Sequence, residues 1–154
     1  MTVRNIVLAA LVAAATVAAG GCADEPVPHH AVEQRVANVE SGVDITAREV
    51  ERNFGSLEKK AKEGDVWVIR SKPEVREEMG KRERRYCKAV VTPLSETAVQ
   101  VDVSVISQKD ESDTGYGENS PSNPKWGVEV HDQELERKIL EEIKYALDKA
   151  AEQL

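Results

Sequence analysis

The stretch TAVQVDVSVI, Thr97 to Ile106, decides the fold. Valines occupy positions 99, 101, 103 and 105, and the polar residues Gln100, Asp102 and Ser104 alternate with them. Because successive side chains of a strand point to opposite faces of a sheet, this pattern predicts an antiparallel strand with one buried and one solvated face. The four valines must then be covered by other elements of the chain.

Two more strands are predicted before this stretch. VWVIR, Val66 to Arg70, is rich in β-forming residues, and Arg82 to Leu94 forms a longer strand. The sequence Met79-Gly80-Lys81 is typical of a turn, so we expect a hairpin ahead of the longer strand. The alternative for residues 72–81 is a short helix. One face of the longer strand carries three small or apolar residues, Cys87, Ala89 and Val91.

A first helix is predicted from Thr46 to Glu63. Thr46 and Glu49 have the spacing of a capping box, in which each side chain satisfies a backbone N–H group at the start of a helix. Gly64 fits the position just past the helix end. Apolar residues recur at helical spacing between these signals, at Ala47, Val50, Phe54, Leu57 and Ala61.

A second helix is predicted from Gln133 to Leu154, with His131 or Asp132 as its cap. Both this helix and the valine strand are apolar on one side only, so we expect the helix stripe to cover the valines. The predicted stripe consists of Leu135, Ile139, Ile143, Leu147, Ala150 and Leu154.

The predicted architecture is one α+β domain over residues 31–154, a two-layer sandwich in which a small antiparallel sheet is packed by two helices. Ala31 to Val43 fits a strand or a helix, and the turn-forming pair Ser41-Gly42 favours the strand. A flexible loop is expected at 107–125, which is rich in Ser, Asp, Gly and Asn. The order of elements resembles the helix-grip domains of lipoproteins in the outer-membrane barrel-assembly machinery, and the resemblance rests on that order alone.

The composition and charge argue against some classes of binding partner. Apolar residues make up 40% of the chain and charged residues 32%, a balance typical of a folded domain with a solvated surface. The formal net charge is −7. A negative domain repels phosphate backbones, so nucleic acid is not expected as a partner. Anionic lipid does not attract such a domain either, so any membrane attachment requires an anchor.

The N-terminus supplies that anchor. Arg4 precedes an uncharged stretch, Ile6 to Ala19, which is too short to span a membrane and suits a signal peptide. The residues that follow, Ala19-Gly20-Gly21-Cys22, resemble the lipobox of bacterial lipoproteins. The resemblance implies that residues 1–21 are removed, that Cys22 is lipidated with palmitate-type chains, and that residues 22–30 form a tether. Because Ala23 follows the cysteine, it implies the periplasmic side of the outer membrane in a host with two membranes.

Few residues are candidates for catalysis or for metal binding. Cys87 fits a buried core thiol. An acidic loop beginning at Asp110 has glycine at the sixth position of a calcium loop, but Pro121 stands at the twelfth, where an acidic ligand is needed. The sequence contains no nucleophile elbow, phosphate loop or zinc-type spacing. We therefore expect no catalysis, no metal and no cofactor.

Three residues are candidates for contact with a partner. Arg82 and Arg84 lie in the mixed-charge run 76–85, where they form cross-strand pairs or contact an acidic protein. Trp126 lies beside the predicted loop and either covers the sheet edge or anchors a partner. The sequence thus predicts a membrane-anchored, extracytoplasmic, non-catalytic lipoprotein with an interaction or structural role in the cell envelope. The alternative is a carrier that binds a small apolar ligand between the sheet and its helices.

Overall fold

The valine stretch forms a long inner strand of an antiparallel sheet. The computed structural model of the chain describes residues 30–112 and 124–154. Its elements in chain order are β1 (His30–Arg35), α1 (Val39–Phe54), β2 (Leu57–Glu63), β3 (Val66–Ser71), β4 (Glu74–Glu78), β5 (Lys81–Ser95), β6 (Ala98–Lys109), β7 (Val130–His131) and α2 (Gln133–Ala151).

The strand order across the sheet is β1-β6-β5-β3-β2, with β4 paired to β5 and β7 paired to β6. Every strand pairing within the described residues is antiparallel. The strands β1 and β7 lie one after the other along the same edge of β6. The predicted α+β class, an antiparallel sheet packed with two helices, is therefore confirmed.

One core joins the sheet to both helices. All four valines predicted to face inward are at most 2% exposed, and Cys87, Ala89 and Val91 beside them are fully buried. Helix α2 packs on β6 and β1, and α1 packs on β5 and β3. The α2 residues Ile139, Ile143 and Leu147 belong to the core as predicted, but the stripe ends there, since Leu154 is 80% exposed.

The predicted start of the first helix is wrong. Asn38 is the N-cap: its Oδ1 accepts a hydrogen bond from Ser41 N at 2.8 Å, and the Ser41 hydroxyl completes the capping box. Thr46 lies inside the helix, fully buried, and its hydroxyl donates to the carbonyl of Gly42 at 2.8 Å. The strand predicted over residues 31–43 consequently stops at Arg35.

The predicted end of that helix is also wrong. Gly55 ends it with φ of +78°, a backbone conformation that residues other than glycine rarely adopt. Residues 57–63 then form β2, which pairs with β3 through a turn at Gly64, where φ is +61°. The apolar spacing of Leu57 and Ala61 suggested a helix, but pairing with β3 overrides it.

The predicted β4–β5 hairpin is observed, and the predicted loop at 107–125 begins later, because residues 107–109 belong to β6. The hairpin at residues 79–80 is confirmed, and it joins β4 to β5. Strand β6 extends to Lys109, further than predicted, and Asp110 bridges to Trp126. The predicted signal peptide, Cys22, the tether up to residue 29 and loop residues 113–123 lie outside the described residues. Within residues 30–112 and 124–154, no helix is both long and apolar enough to cross a membrane.

Candidate interaction surface

The sheet face opposite the valines, called here the outer face, is built from the other half of each strand. The registers place Val68, Val90 and Asp102 in one row across it. The neighbouring row contains Arg70, Lys88 and Ser104. Apart from Val68, these side chains are half-buried or exposed, in contrast to the fully buried valine face.

Two of the three predicted contact residues touch each other on this face. The guanidinium carbon of Arg84 lies 4.7 Å from the ring centroid of Trp126, a cation–π contact. Arg84 Nε donates to Gln108 Oε1 at 2.8 Å, and Gln108 Nε2 donates to the carbonyl of Gly127 at 2.9 Å. Trp126 is thus held half-buried at the end of β6.

Arg82 has a different environment. Its Nη2 lies 2.8 Å from Asp110 Oδ2, an ion pair that lacks hydrogen-bond geometry. Asp110 Oδ1 accepts hydrogen bonds from the backbone and hydroxyl of Ser112 and from Lys125 N. These bonds, the Ser112 hydroxyl first, and the charge of Arg82 lower the pKa of Asp110. Arg82 and Asp110 therefore hold together the two chain segments that flank residues 113–123.

A second aromatic contact lies deeper on the outer face. The guanidinium carbon of Arg70 is 4.3 Å from the ring centroid of Tyr86, and Arg70 Nε lies 3.2 Å from Glu58 Oε2. The Tyr86 hydroxyl donates to Glu129 Oε1 at 3.0 Å. Burial, and then this bond to a carboxylate, raise the pKa of Tyr86 above its ordinary value.

Arg70, Arg84 and Lys88 together form what we call the basic strip. Arg84 and Lys88 form no ion pair within the described residues. Lys88 is exposed and lies in the middle of the sheet. The outer face therefore offers two cations that form no ion pair within the described residues, Arg84 and Lys88, near a half-buried indole, on a chain whose net charge is −7.

A buried carboxylate that the sequence analysis missed lies at the edge of β6. Glu136 is 2% exposed, and its Oε1 accepts a hydrogen bond from Val105 N at 2.9 Å. Asp132, the N-cap of α2, donates its backbone N–H to the carbonyl of Val105 at 3.0 Å. The start of α2 thus supplies the hydrogen-bond partners that a strand would otherwise give Val105 in the gap between β1 and β7. Its signal in the sequence was a glutamate on the stripe that continues with Leu140 and Ile143.

The same carboxylate has two further neighbours. His131 Nδ1 lies 2.8 Å from Glu136 Oε1, and Glu136 is the only hydrogen-bond partner of the His131 ring within the described residues. Cys87 is fully buried, and burial, with a smaller contribution from the charge of Glu136, raises its pKa to about 12. No group of three metal-ligating side chains occurs in residues 30–112 and 124–154.

Two cavities lie near the start of α2. One of about 750 Å³ is lined by residues that include Lys109, Val128, Val130 and His131. The other, of about 520 Å³, is lined almost entirely by charged side chains around Arg85 and Leu135. Neither lies under the buried valine row, where the carrier alternative requires an apolar cavity, and that alternative stays a prediction.

Comparison with known proteins assigns this chain to no group: no protein-family model, no curated protein and no solved structure matches it.

Proposed function

We propose that the chain is an exported lipoprotein, held on an envelope membrane by acyl chains on Cys22, whose domain binds another envelope protein. The support for the anchor is the lipobox-like sequence that ends at Cys22, directly after an uncharged stretch of signal-peptide length. The domain then faces an extracytoplasmic compartment, on the periplasmic side of the outer membrane where the host has two membranes.

The single observation that supports a binding role is the basic strip. Most of the surface of an acidic protein repels an acidic partner, so a cluster of cations, of which Arg84 and Lys88 form no ion pair within the described residues, directs such a partner to one face. Trp126, stacked against Arg84, adds an amphipathic ring of the kind that is enriched at protein interfaces. The proposed partner is therefore an acidic segment of an envelope protein, bound across β5 and β6.

The fold suits this role. We propose that the two helices form one layer and the sheet another, a two-layer sandwich, because residues of α1 and α2 join the valine face in a single core cluster. In this arrangement the outer face has no helix over it, and Lys88 near its centre is exposed.

We also propose that the domain is non-catalytic. His131 pairs with Glu136, whose oxygen also accepts a backbone N–H of the sheet. No hydroxyl or thiol among these residues is hydrogen-bonded to His131, so the pair has no nucleophile to activate. The Cys87 thiol is buried and stays protonated at neutral pH.

Intact-mass measurement of the purified protein tests the anchor. We expect a mature chain that begins at Cys22 and carries the mass of two or more acyl chains, the number that makes anchoring stable. The Cys22→Ser variant should keep its signal peptide uncleaved at this site or lose membrane association. An unmodified Cys22 in the mature protein would rule out the anchor.

Site-specific photo-crosslinking in intact cells tests the partner surface. A photoreactive residue at Lys88 should give a discrete product, and the matched control at Lys144, exposed on α2, should not. Adding Arg84→Glu should abolish the product, and high salt should weaken it, because the attraction is electrostatic. Equal products at positions 88 and 144, or a product insensitive to Arg84→Glu, would contradict the assignment.

A further inference from the structure

The outer edge of β1 carries backbone groups that no described strand satisfies. Val36 N donates to the carbonyl of Thr97 at 3.0 Å, one step beyond the last pair in the register of β1 with β6. Hydrogen-bonded and non-hydrogen-bonded pairs alternate along an antiparallel ladder. The N–H and C=O groups of Ala31, Glu33 and Arg35 therefore point away from β6, and β1 has no strand neighbour on that side in the described part of the chain.

This edge is less protected than the edges of β2 and β4. Five of the seven residues of β2 and four of the five residues of β4 are charged. Charged side chains are a common way to keep an exposed strand from pairing with another chain. β1 has only one glutamate and one arginine among its six residues. A strand that pairs with β1 therefore meets the fewest charges.

The charge pattern of β1 is complementary to itself. In an antiparallel pair of two β1 strands, the outward-pointing residues must lie opposite one another. When Gln34 lies on the two-fold axis, Glu33 of each copy lies opposite Arg35 of the other. Each such pair exchanges two backbone hydrogen bonds and places opposite charges side by side, which stabilises cross-strand contacts. A pair centred on Glu33 instead would place two glutamates face to face.

The side chains of this segment fit the same arrangement. Glu33 and Arg35 are exposed and form no ion pair within the described residues. Gln34 lies opposite Val99, so its side chain is on the valine face, where it is half-buried. Its amide forms no hydrogen bond within residues 30–112 and 124–154. At the two-fold axis the two amides meet, and each can donate to the other.

We propose that two copies of the chain pair through β1, antiparallel and with Gln34 on the two-fold axis, so that their sheets become continuous. The dimer is closed, because each copy uses its β1 edge and the charged β2 lies at both ends of the joined sheet. The ladder contributes four backbone hydrogen bonds, two for each Glu33–Arg35 pair, so we expect a dimer that dissociates on dilution. The basic strip belongs to β3 and β5, away from this edge, so the pairing does not cover it.

Disulfide crosslinking of the purified full chain tests the pairing and its register. Opposite residues of a non-hydrogen-bonded pair have Cα atoms about 4.5 Å apart, within the range that a disulfide spans. Gln34→Cys should therefore give a disulfide-linked dimer on oxidation with copper phenanthroline.

The matched control is Val32→Cys, on the same strand and the same face. Its two copies would lie four residues apart along the paired strands, about 13 Å, and should not be linked. The parent protein, whose only cysteines are Cys22 and Cys87, measures crosslinks that do not involve either introduced thiol.

Charge exchange tests the complementarity. In the Gln34→Cys background, Glu33→Arg or Arg35→Glu places like charges opposite each other twice, and we expect the crosslinking rate to fall about tenfold. The double variant Glu33→Arg/Arg35→Glu brings opposite charges together again and should restore the rate. A mixture of the two single variants should crosslink faster than either alone, because every charge in the mixed dimer faces its opposite. Urea unfolding of each variant verifies that the domain is folded.

Equal linking of Gln34→Cys and Val32→Cys, or no link at position 34 in folded protein, would overturn the pairing. A crosslinking rate that ignores the single charge variants, or that the double variant does not restore, would overturn it as well. In intact cells, a crosslink from position 34 to a different protein without the dimer would mean that β1 pairs with a partner strand, which also contradicts the proposal.

Discussion

Cys87 is the single described cysteine, and its surroundings make it inert. It is fully buried between the sheet and the helices, and its pKa is raised to about 12, first by burial and then by the charge of Glu136. Only the thiolate reacts with disulfide reagents and alkylating agents, so a protonated and buried thiol does not.

We predict that the protein, with Cys22 lipidated as proposed, shows no reactive thiol at pH 8 and one per chain in denaturant. Titration with Ellman's reagent measures both numbers. Stoichiometric labelling in native buffer would mean that the helices open readily over β5.

Glu136 closes the gap that β1 and β7 leave along β6. Glu136→Leu removes the acceptor of the buried Val105 N–H, and we expect a loss of about 1–3 kcal/mol in the free energy of unfolding. Glu136→Gln keeps an acceptor and should cost less. The neighbouring exposed Glu134→Gln is the control, expected within about 0.5 kcal/mol in urea unfolding. A Leu variant as stable as the control would show that water or another group satisfies Val105.

At the scale of elements, the start of α1 shows what local sequence leaves open. The spacing of Thr46 and Glu49 predicted the helix start, whereas the structure caps the helix with Asn38 and Ser41. The fold selects this cap because Gly42 must lie inside the helix against the sheet: a Cβ there would come within 3.0 Å of Val36 and 3.3 Å of Val99. That close approach between distant residues is invisible to any local pattern.

The cap can be tested directly. Asn38→Ala should destabilise the protein by about 1 kcal/mol, because it removes the acceptor for Ser41 N, whereas Asn38→Asp should retain stability. Thermal or urea unfolding of the two variants measures the difference. Equal losses in both would indicate that the Asn38 side chain does not cap the helix.

The pairing of α2 with the valine face was predictable, since each has a regular apolar period and each leaves one side uncovered. Ile143→Ala should cost about 2–5 kcal/mol, because the residue is fully buried in the core. Gln100→Ala, on the outer face, should change stability by less than about 0.5 kcal/mol. Urea unfolding compares them, and similar losses would mean that the two sheet faces are equally important to packing.

For the whole molecule, the sequence predicted the elements with strong periodicity and missed those defined by long-range pairing. Strand β2 consists of LEKKAKE, which contains no β-branched residue and has its apolar positions one helical turn apart. Its pairing with β3 decides its conformation.

The residues of the candidate interaction surface were only partly predictable. Arg82, Arg84 and Trp126 were singled out by residue type. Gln108, Tyr86 and Glu129, whose hydrogen bonds hold the surface in place, were not.

The alkaline stability of the domain follows from the same buried groups. In the folded state the pKa of Cys87 is raised to about 12, whereas a cysteine in the unfolded chain has a pKa of about 8.5. The stabilisation is therefore complete below about pH 8.5 and is lost as pH rises towards 12, at up to about 1.4 kcal/mol per pH unit. The raised pKa of Tyr86 acts in the same direction.

We predict that urea unfolding between pH 8 and 11 shows a steeper loss of stability for the native sequence than for Cys87→Ala. The comparison isolates the thiol from lysines and tyrosines that titrate in the same range. Parallel pH dependences in the two proteins would show that Cys87 reaches solvent before the domain unfolds.

Strand β2 has a consequence for how copies of the protein behave together. It is the outermost strand on its side of the sheet, so its free backbone groups could pair with a strand of another copy. Five of its seven residues are charged, three of them lysines, and such a docking would have to strip water from them. In the membrane-anchored state that we propose, copies would collide in two dimensions at high local concentration, and a lysine-rich edge would keep neighbouring copies from joining their sheets into a continuous aggregate.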